Sequence, residues 1–152
     1  MKYFRLREFV CNCGCGKNKI DRTFLKVLDS ARAYSKNEDG SDIPFIITSG
    51  YRCENHPVSK PTSSHIKGLA ADILVKNSRE RAVILAALMN AGFSRFGIGH
   101  NFIHVDLDED LPITEILNGY STSIERDGVQ KHIKIFLASS EELKAERDAF
   151  IY

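Results

Sequence analysis

Apolar positions change period several times along the chain, and each change marks an element. Phe24, Val27, Leu28 and Ala31 recur at helical spacing behind Asp21, whose short carboxylate suits an N-cap. That helix is expected to fade by Lys36, ahead of a polar loop over 37–42 that contains Gly40. The run Phe45, Ile46, Ile47, Thr48 after Pro44 is aromatic and β-branched, as a buried strand requires. A loop over 50–64 follows, punctuated by Gly50, Pro57, Pro61 and several serines, and a loop that long in a compact domain often carries function. Residues 69–75 read as a strand, with Ala70, Asp72 and Leu74 on one face and Ala71, Ile73 and Val75 on the other.

Asn77 with Glu80 makes a capped start for an apolar helix over 78–91, and Gly92 is its natural stop. Residues 93–98 and 102–107 read as strands around a turn at Gly97 and Gly99; alternation places Phe102, His104 and Asp106 on one face. Near the end, 121–126 and 129–137 flank Asp127-Gly128, a strong hairpin signal. Ser139 with Glu142 caps a short final helix. The order helix, strand, strand, helix, strands predicts an α+β fold. The 152 residues make one domain, with a core over about 3–110 and a ββα extension over 111–152 packed on it.

Charge and composition narrow the partners. Lys plus Arg number 21 against 20 for Asp plus Glu, with no block of one sign, which disfavours nucleic acid. No apolar run reaches the roughly 18 residues of a membrane span, and the basic N-terminus has no apolar stretch behind it. Synthesis in the cytoplasm without a signal peptide is therefore expected, as is a monomer that does not insert into membranes. Cys11, Cys13 and Cys15 crowd together, tighter than the usual C-x2-4-C zinc spacing, and only Cys53 lies elsewhere. A Gly-rich turn with partly buried thiols is the favoured reading over a four-cysteine zinc site; whether Cys53 links to the three is open.

His65, Asp72 and His104 form the constellation with chemistry. A catalytic zinc needs about three N, O or S ligands and an open position. An Asp inside an otherwise apolar strand is costly unless paired or metal-bound; the bland reading is an Asp satisfied by loop amides. His56 reads as a loop residue and His132, between lysines, as a surface one. Ser49, Ser63 and Ser64 have no partner motif for a serine nucleophile.

Ser63, His65, Gly68, Ala70 and Asp72 resemble the S-x-H-x-x-G-x-A-x-D signature of the zinc D-Ala-D-Ala carboxypeptidase family. His104 and Asp106 resemble its later H-x-D element, and Ser49, Gly50, Tyr51 and Arg52 its S-G-Y-R segment. The lead-in around Phe9 and Cys11 to Cys15 is similar to phage-encoded and bacterial members, and the likeness spans roughly residues 3–110. The resemblance implies the small α+β domain shared with the hedgehog signalling domain, helices packed on an antiparallel sheet. It implies one zinc per chain on His65, Asp72 and His104, with Ser63, Arg52 and Tyr51 toward substrate. Arg52 would neutralise a peptide carboxylate or a developing oxyanion.

The general base departs from the family pattern, because the position three before His104 holds Asn101, which cannot take a proton. Asp106 is a candidate for the base, or it orients His104 from behind. His100 is a candidate for proton transfer or transition-state contact, or a plain loop histidine. The implied activity is hydrolysis of peptidoglycan stem peptides, D-Ala-D-Ala carboxypeptidase in type. An endopeptidase of L-alanyl-D-glutamate type and a non-catalytic zinc-stabilised cell-wall-binding module are the alternatives. Action on the cell wall without a signal peptide fits a phage lysin or a protein released by other machinery.

Overall fold

The computed structural model describes residues 1–110 together with the backbone of strands Gly119–Arg126 and Val129–Leu137. A 3-10 turn, Leu6–Phe9, leads into helix α1, Arg22–Tyr34, and strand β1, Ile46–Ser49. Then come β2 (Ala70–Leu74), helix α2 (Ser78–Ala91), β3 (Arg95–Ile98), β4 (Phe102–Asp106), β5 (Gly119–Arg126) and β6 (Val129–Leu137). The helix starts lie where the capping residues place them. Asp21 Oδ1 accepts the Phe24 N–H at 2.8 Å, and Asn77 Oδ1 accepts the Glu80 N–H at 2.9 Å. Gly92 closes α2 with φ 104, in the left-handed region that glycine favours.

The strands form one sheet in the order β1-β2-β4-β3-β6-β5. The first four are antiparallel, as expected. The hairpin β5–β6 is antiparallel within itself and joins the rest through a parallel β3–β6 pair. Hairpin spacing in a sequence sets neither the edge nor the direction of docking, so this pair was not legible. The turn at 127–128, the expected final helix after Ser139 and the side chain of His132 lie outside the described residues.

One face of the sheet is apolar and carries both helices. Ala71, Ile73, Phe96, Ile103 and Val105 are buried in a single cluster with Phe24, Leu28, Ile84 and Leu88. Burying each large side chain stabilises the fold by about 1.5–3 kcal/mol. Phe24 meets Phe93 edge to face at 5.8 Å, which ties α1 to the chain leaving α2. Phe4 and Phe9 bring the lead-in to the same core, their rings 5.6 Å apart.

The opposite face is polar along one line. Asp72 of β2 lies opposite Ser49 of β1 and His104 of β4; His104 lies opposite Gly97 of β3, and Asp106 opposite Arg95. A register shift in β1 between Ile47 and Ser49 brings Ser49 level with Asp72.

Two glycines make this arrangement possible. A Cβ on Gly68, which has φ +76, would lie 2.1 Å from the Lys19 carbonyl oxygen; the Gly68 carbonyl accepts the Asp21 N–H at 2.9 Å. A Cβ on Gly50 would lie 2.6 Å from Phe9 Cα. The first couples the turn before β2 to the start of α1, and the second lets the chain after β1 lie flat on the 3-10 turn.

Candidate metal centre

The site is built from a turn and two neighbouring strands. After Ser63 the chain curls tightly: the Gly68 N–H bonds the His65 carbonyl at 3.2 Å and the Leu69 N–H bonds that of Ser64 at 2.9 Å. His65 thereby folds over β2, where Asp72 stands beside His104 in the sheet register. Ligand atoms of His65, Asp72 and His104 all lie within 4.8 Å of one another, and all three residues are buried.

The contacts converge on one carboxylate oxygen. Asp72 Oδ1 is 2.9 Å from His104 Nδ1 and 3.3 Å from His65 Nε2. The far nitrogen of each ring is occupied. His65 Nδ1 lies 2.6 Å from the Gly50 carbonyl oxygen, and His104 Nε2 lies 3.0 Å from Asp106 Oδ2. An N–H given to each of those acceptors leaves the near nitrogen of a neutral imidazole as a lone-pair donor. His65 Nε2 is buried and has no hydrogen-bond partner.

A divalent metal fits this arrangement. Donor atoms around a tetrahedral zinc lie roughly 3.3 Å apart, close to the separations seen here. Two imidazoles and a carboxylate match a catalytic zinc set, and carboxylate or carbonyl partners behind the rings are the usual support.

The electrostatics follow from burial opposed by pairing. Burial works against the Asp72 carboxylate, yet the imidazoles of His65 and His104 hold its pKa well below the usual range. Burial lowers the His65 pKa, with Asp72 opposing. Burial also disfavours charge on His104, but hydrogen bonds to Asp106 and Asp72 outweigh it and raise its pKa to about 9. Asp106 is lowered against the effect of burial, chiefly by His104 and then by Arg95.

The other candidates fall in different places. Arg52 is buried beside the centre: Nη2 donates to Asp72 Oδ2 at 2.8 Å and Nε to Ser49 Oγ at 2.9 Å. Ser63 is buried, and its Oγ accepts the His65 N–H at 3.3 Å. Tyr51 is buried in a cluster with Cys11 and Cys53. His100 is exposed in the β3–β4 turn, its carbonyl held by Arg81, and is not part of the ligand group. Asp106 stands behind the His104 ring, on the side away from Asp72. Its Oδ2 also accepts from Arg95 Nε at 2.9 Å, and its Oδ1 accepts the Asp108 N–H at 3.0 Å.

Four contributors were not read from the sequence: the Gly50 carbonyl, Ser49 as a partner of Arg52, Arg95, and Asp108 with its Lys67 ion pair at 2.8 Å. Arg95 carried a findable signal, since a carboxylate on a buried strand calls for a cation on the neighbouring one. A backbone acceptor has no sequence signature.

The fold and this face define a small α+β protein with a buried His–Asp–His group that could hold a metal ion. The model of the family described as Peptidase M15 matches residues 2–106, more than half of the chain, and the chain belongs to that family of metal-dependent peptidases. Searches of curated proteins and of solved structures return no match. No helix among the described residues is long and apolar enough to cross a membrane.

Proposed function

We propose that this chain is a zinc peptidase that hydrolyses peptide bonds in peptidoglycan stem peptides, of the D-Ala-D-Ala carboxypeptidase type. Membership of the M15 family supports a metallopeptidase acting on peptidoglycan. One observation carries the assignment to a site: the two imidazoles have their outer nitrogens engaged while their inner nitrogens face the same Asp72 oxygen. His65, Asp72 and His104 would hold the ion. When bound, zinc supplies Lewis-acid chemistry, polarising a peptide carbonyl and making water nucleophilic near neutral pH.

The remaining residues act on the ligands and on charge. Arg52 keeps Asp72 Oδ2 occupied, which would leave Oδ1 to help hold an ion, and its fixed positive charge favours anionic oxygen nearby. The Gly50 carbonyl holds His65 as the Nδ1–H tautomer. Asp106 acts as a positioning residue for His104 and not as the base: its oxygens receive His104, Arg95 and the Asp108 amide, and it faces the far side of the ring.

Arg52 also favours a second reading. A carboxypeptidase needs a cation for the substrate's terminal carboxylate, whereas this guanidinium is engaged with Asp72 and Ser49. Cleavage within the stem, as in an L-alanyl-D-glutamate endopeptidase, makes no such demand. Mass spectrometry of muropeptides digested by the zinc-loaded protein separates the readings. Loss of one terminal alanine supports the carboxypeptidase, and two internal fragments support the endopeptidase. Intact muropeptides at full zinc occupancy would overturn both and leave a cell-wall-binding module.

A further inference from the structure

A second group of ligands lies outside this centre. One sulfur from each of Cys11, Cys13, Cys15 and Cys53 comes within 4.8 Å of all the others. Cys11 Sγ and Cys13 Sγ are 3.3 Å apart, and Cys13 Sγ and Cys53 Sγ are 3.6 Å apart. All four are free thiols. Bonded sulfurs would be about 2.05 Å apart, whereas sulfurs sharing a tetrahedral zinc at about 2.3 Å lie roughly 3.8 Å from one another. The observed spacing belongs to the second case.

The backbone is arranged to match. The Cys11 N–H bonds the Lys17 carbonyl at 2.9 Å, closing the loop that carries three of the thiols. The Cys53 N–H donates to Cys11 Sγ at 3.3 Å, a bond that favours thiolate at that sulfur. Tight C-x-C-x-C spacing argued against such a site in the linear sequence. In the fold, the loop curls enough for alternate residues to converge on Cys53.

We infer that these four thiolates hold one soft divalent ion of the zinc class, a structural site separate from the His65–Asp72–His104 centre. Tetrathiolate donors select zinc or iron chemistry over hard cations, and a closed set of four leaves no position for substrate. The ion is a brace for the five residues that support the catalytic face. Ser49 binds Arg52, Gly50 binds His65, and the Tyr51 N–H bonds the Phe9 carbonyl at 3.0 Å. Arg52 binds Asp72, and Cys53 enters the thiol group.

The test is metal analysis of the full chain, purified reduced and loaded with zinc or cobalt. Wild type should hold about two ions per chain, and His65→Ala about one. In His65→Ala the cobalt form should show thiolate-to-metal charge transfer in the near ultraviolet, and its thiols should react slowly with a thiol reagent. Cys13→Ser/Cys15→Ser removes two exposed sulfurs and leaves the buried pair. It should keep the fold by circular dichroism and lose that absorption. It should still hold the other ion, with affinity about tenfold weaker because the support of His65 and Asp72 is loosened. Cobalt absorption without charge transfer in wild type, four fast-reacting thiols in the zinc form, or a native disulfide would each overturn the inference. A protein that keeps the thiolate-bound ion but cleaves nothing removes the peptidase reading and leaves this one standing.

Discussion

His104 sits between two carboxylates, and that placement sets what metal uptake at this candidate centre would require. In the metal-free protein its pKa is raised to about 9 from 6.5. The charged ring therefore stabilises the metal-free fold fully below about pH 6.5, and this contribution is lost as pH rises through about 9. A metal must displace the proton on Nδ1, whereas His65 is held toward neutrality and Asp72 toward the carboxylate. Zinc binding near pH 7 should release about one proton at this centre, with affinity rising roughly tenfold per pH unit and levelling above about 9. Calorimetry of the Cys13→Ser/Cys15→Ser variant in buffers of different ionisation enthalpy measures this without thiol protons. Uptake with no proton release would show that His104 is already neutral.

The same contacts bear on the role of Asp106. As a positioning residue, its Asp106→Asn variant should bind zinc about 10–100-fold more weakly and recover most of its turnover at saturating metal. A general base behaves otherwise: zinc affinity stays, and turnover falls by about 10²–10⁴ at every metal concentration. Zinc affinity and turnover measured together give the answer. The sequence left Asp106 between these roles because strand parity shows that it shares a face with His104. Parity does not show that Arg95 and the Asp108 amide use the same carboxylate.

The turn before β2 is the element on which the site depends. Gly68→Ala places a side chain against the Lys19 carbonyl at a positive φ. A loss of about 2–4 kcal/mol is expected, seen as a melting point lower by on the order of 10 °C. A variant that melts like wild type would mean the turn relaxes freely. At this scale the chain was largely readable. The caps at Asp21 and Asn77, the stop at Gly92 and the alternation in β2 and β4 each rest on local chemistry, and each element lies within a residue or two of its expected place. The β1 bulge and the parallel β3–β6 pair depend on distant partners and left no local mark. Tyr51 shows the same limit: its motif position suggested substrate, and tertiary packing buried it against thiols.

Across the whole molecule, the sheet separates two tasks. Its apolar face is held by helices α1 and α2, and its polar face lines up Ser49, Asp72, His104 and Asp106. The lead-in, through Phe9 and the cysteine loop, supports the segment that carries Arg52. The three candidate ligand positions were legible in the sequence because their order resembles a family signature, and the fold brings them together. The network behind them could not, since it consists of a carbonyl, an amide and cross-strand partners. The most direct test of a catalytic metal at this centre is peptidoglycan cleavage by chelated and zinc-restored protein, wild type beside His65→Ala. Wild type should lose cleavage on chelation and regain it with zinc, and His65→Ala should stay at background at every zinc level. Cleavage by His65→Ala at the wild-type rate, or by the fully chelated wild type, would contradict the assignment.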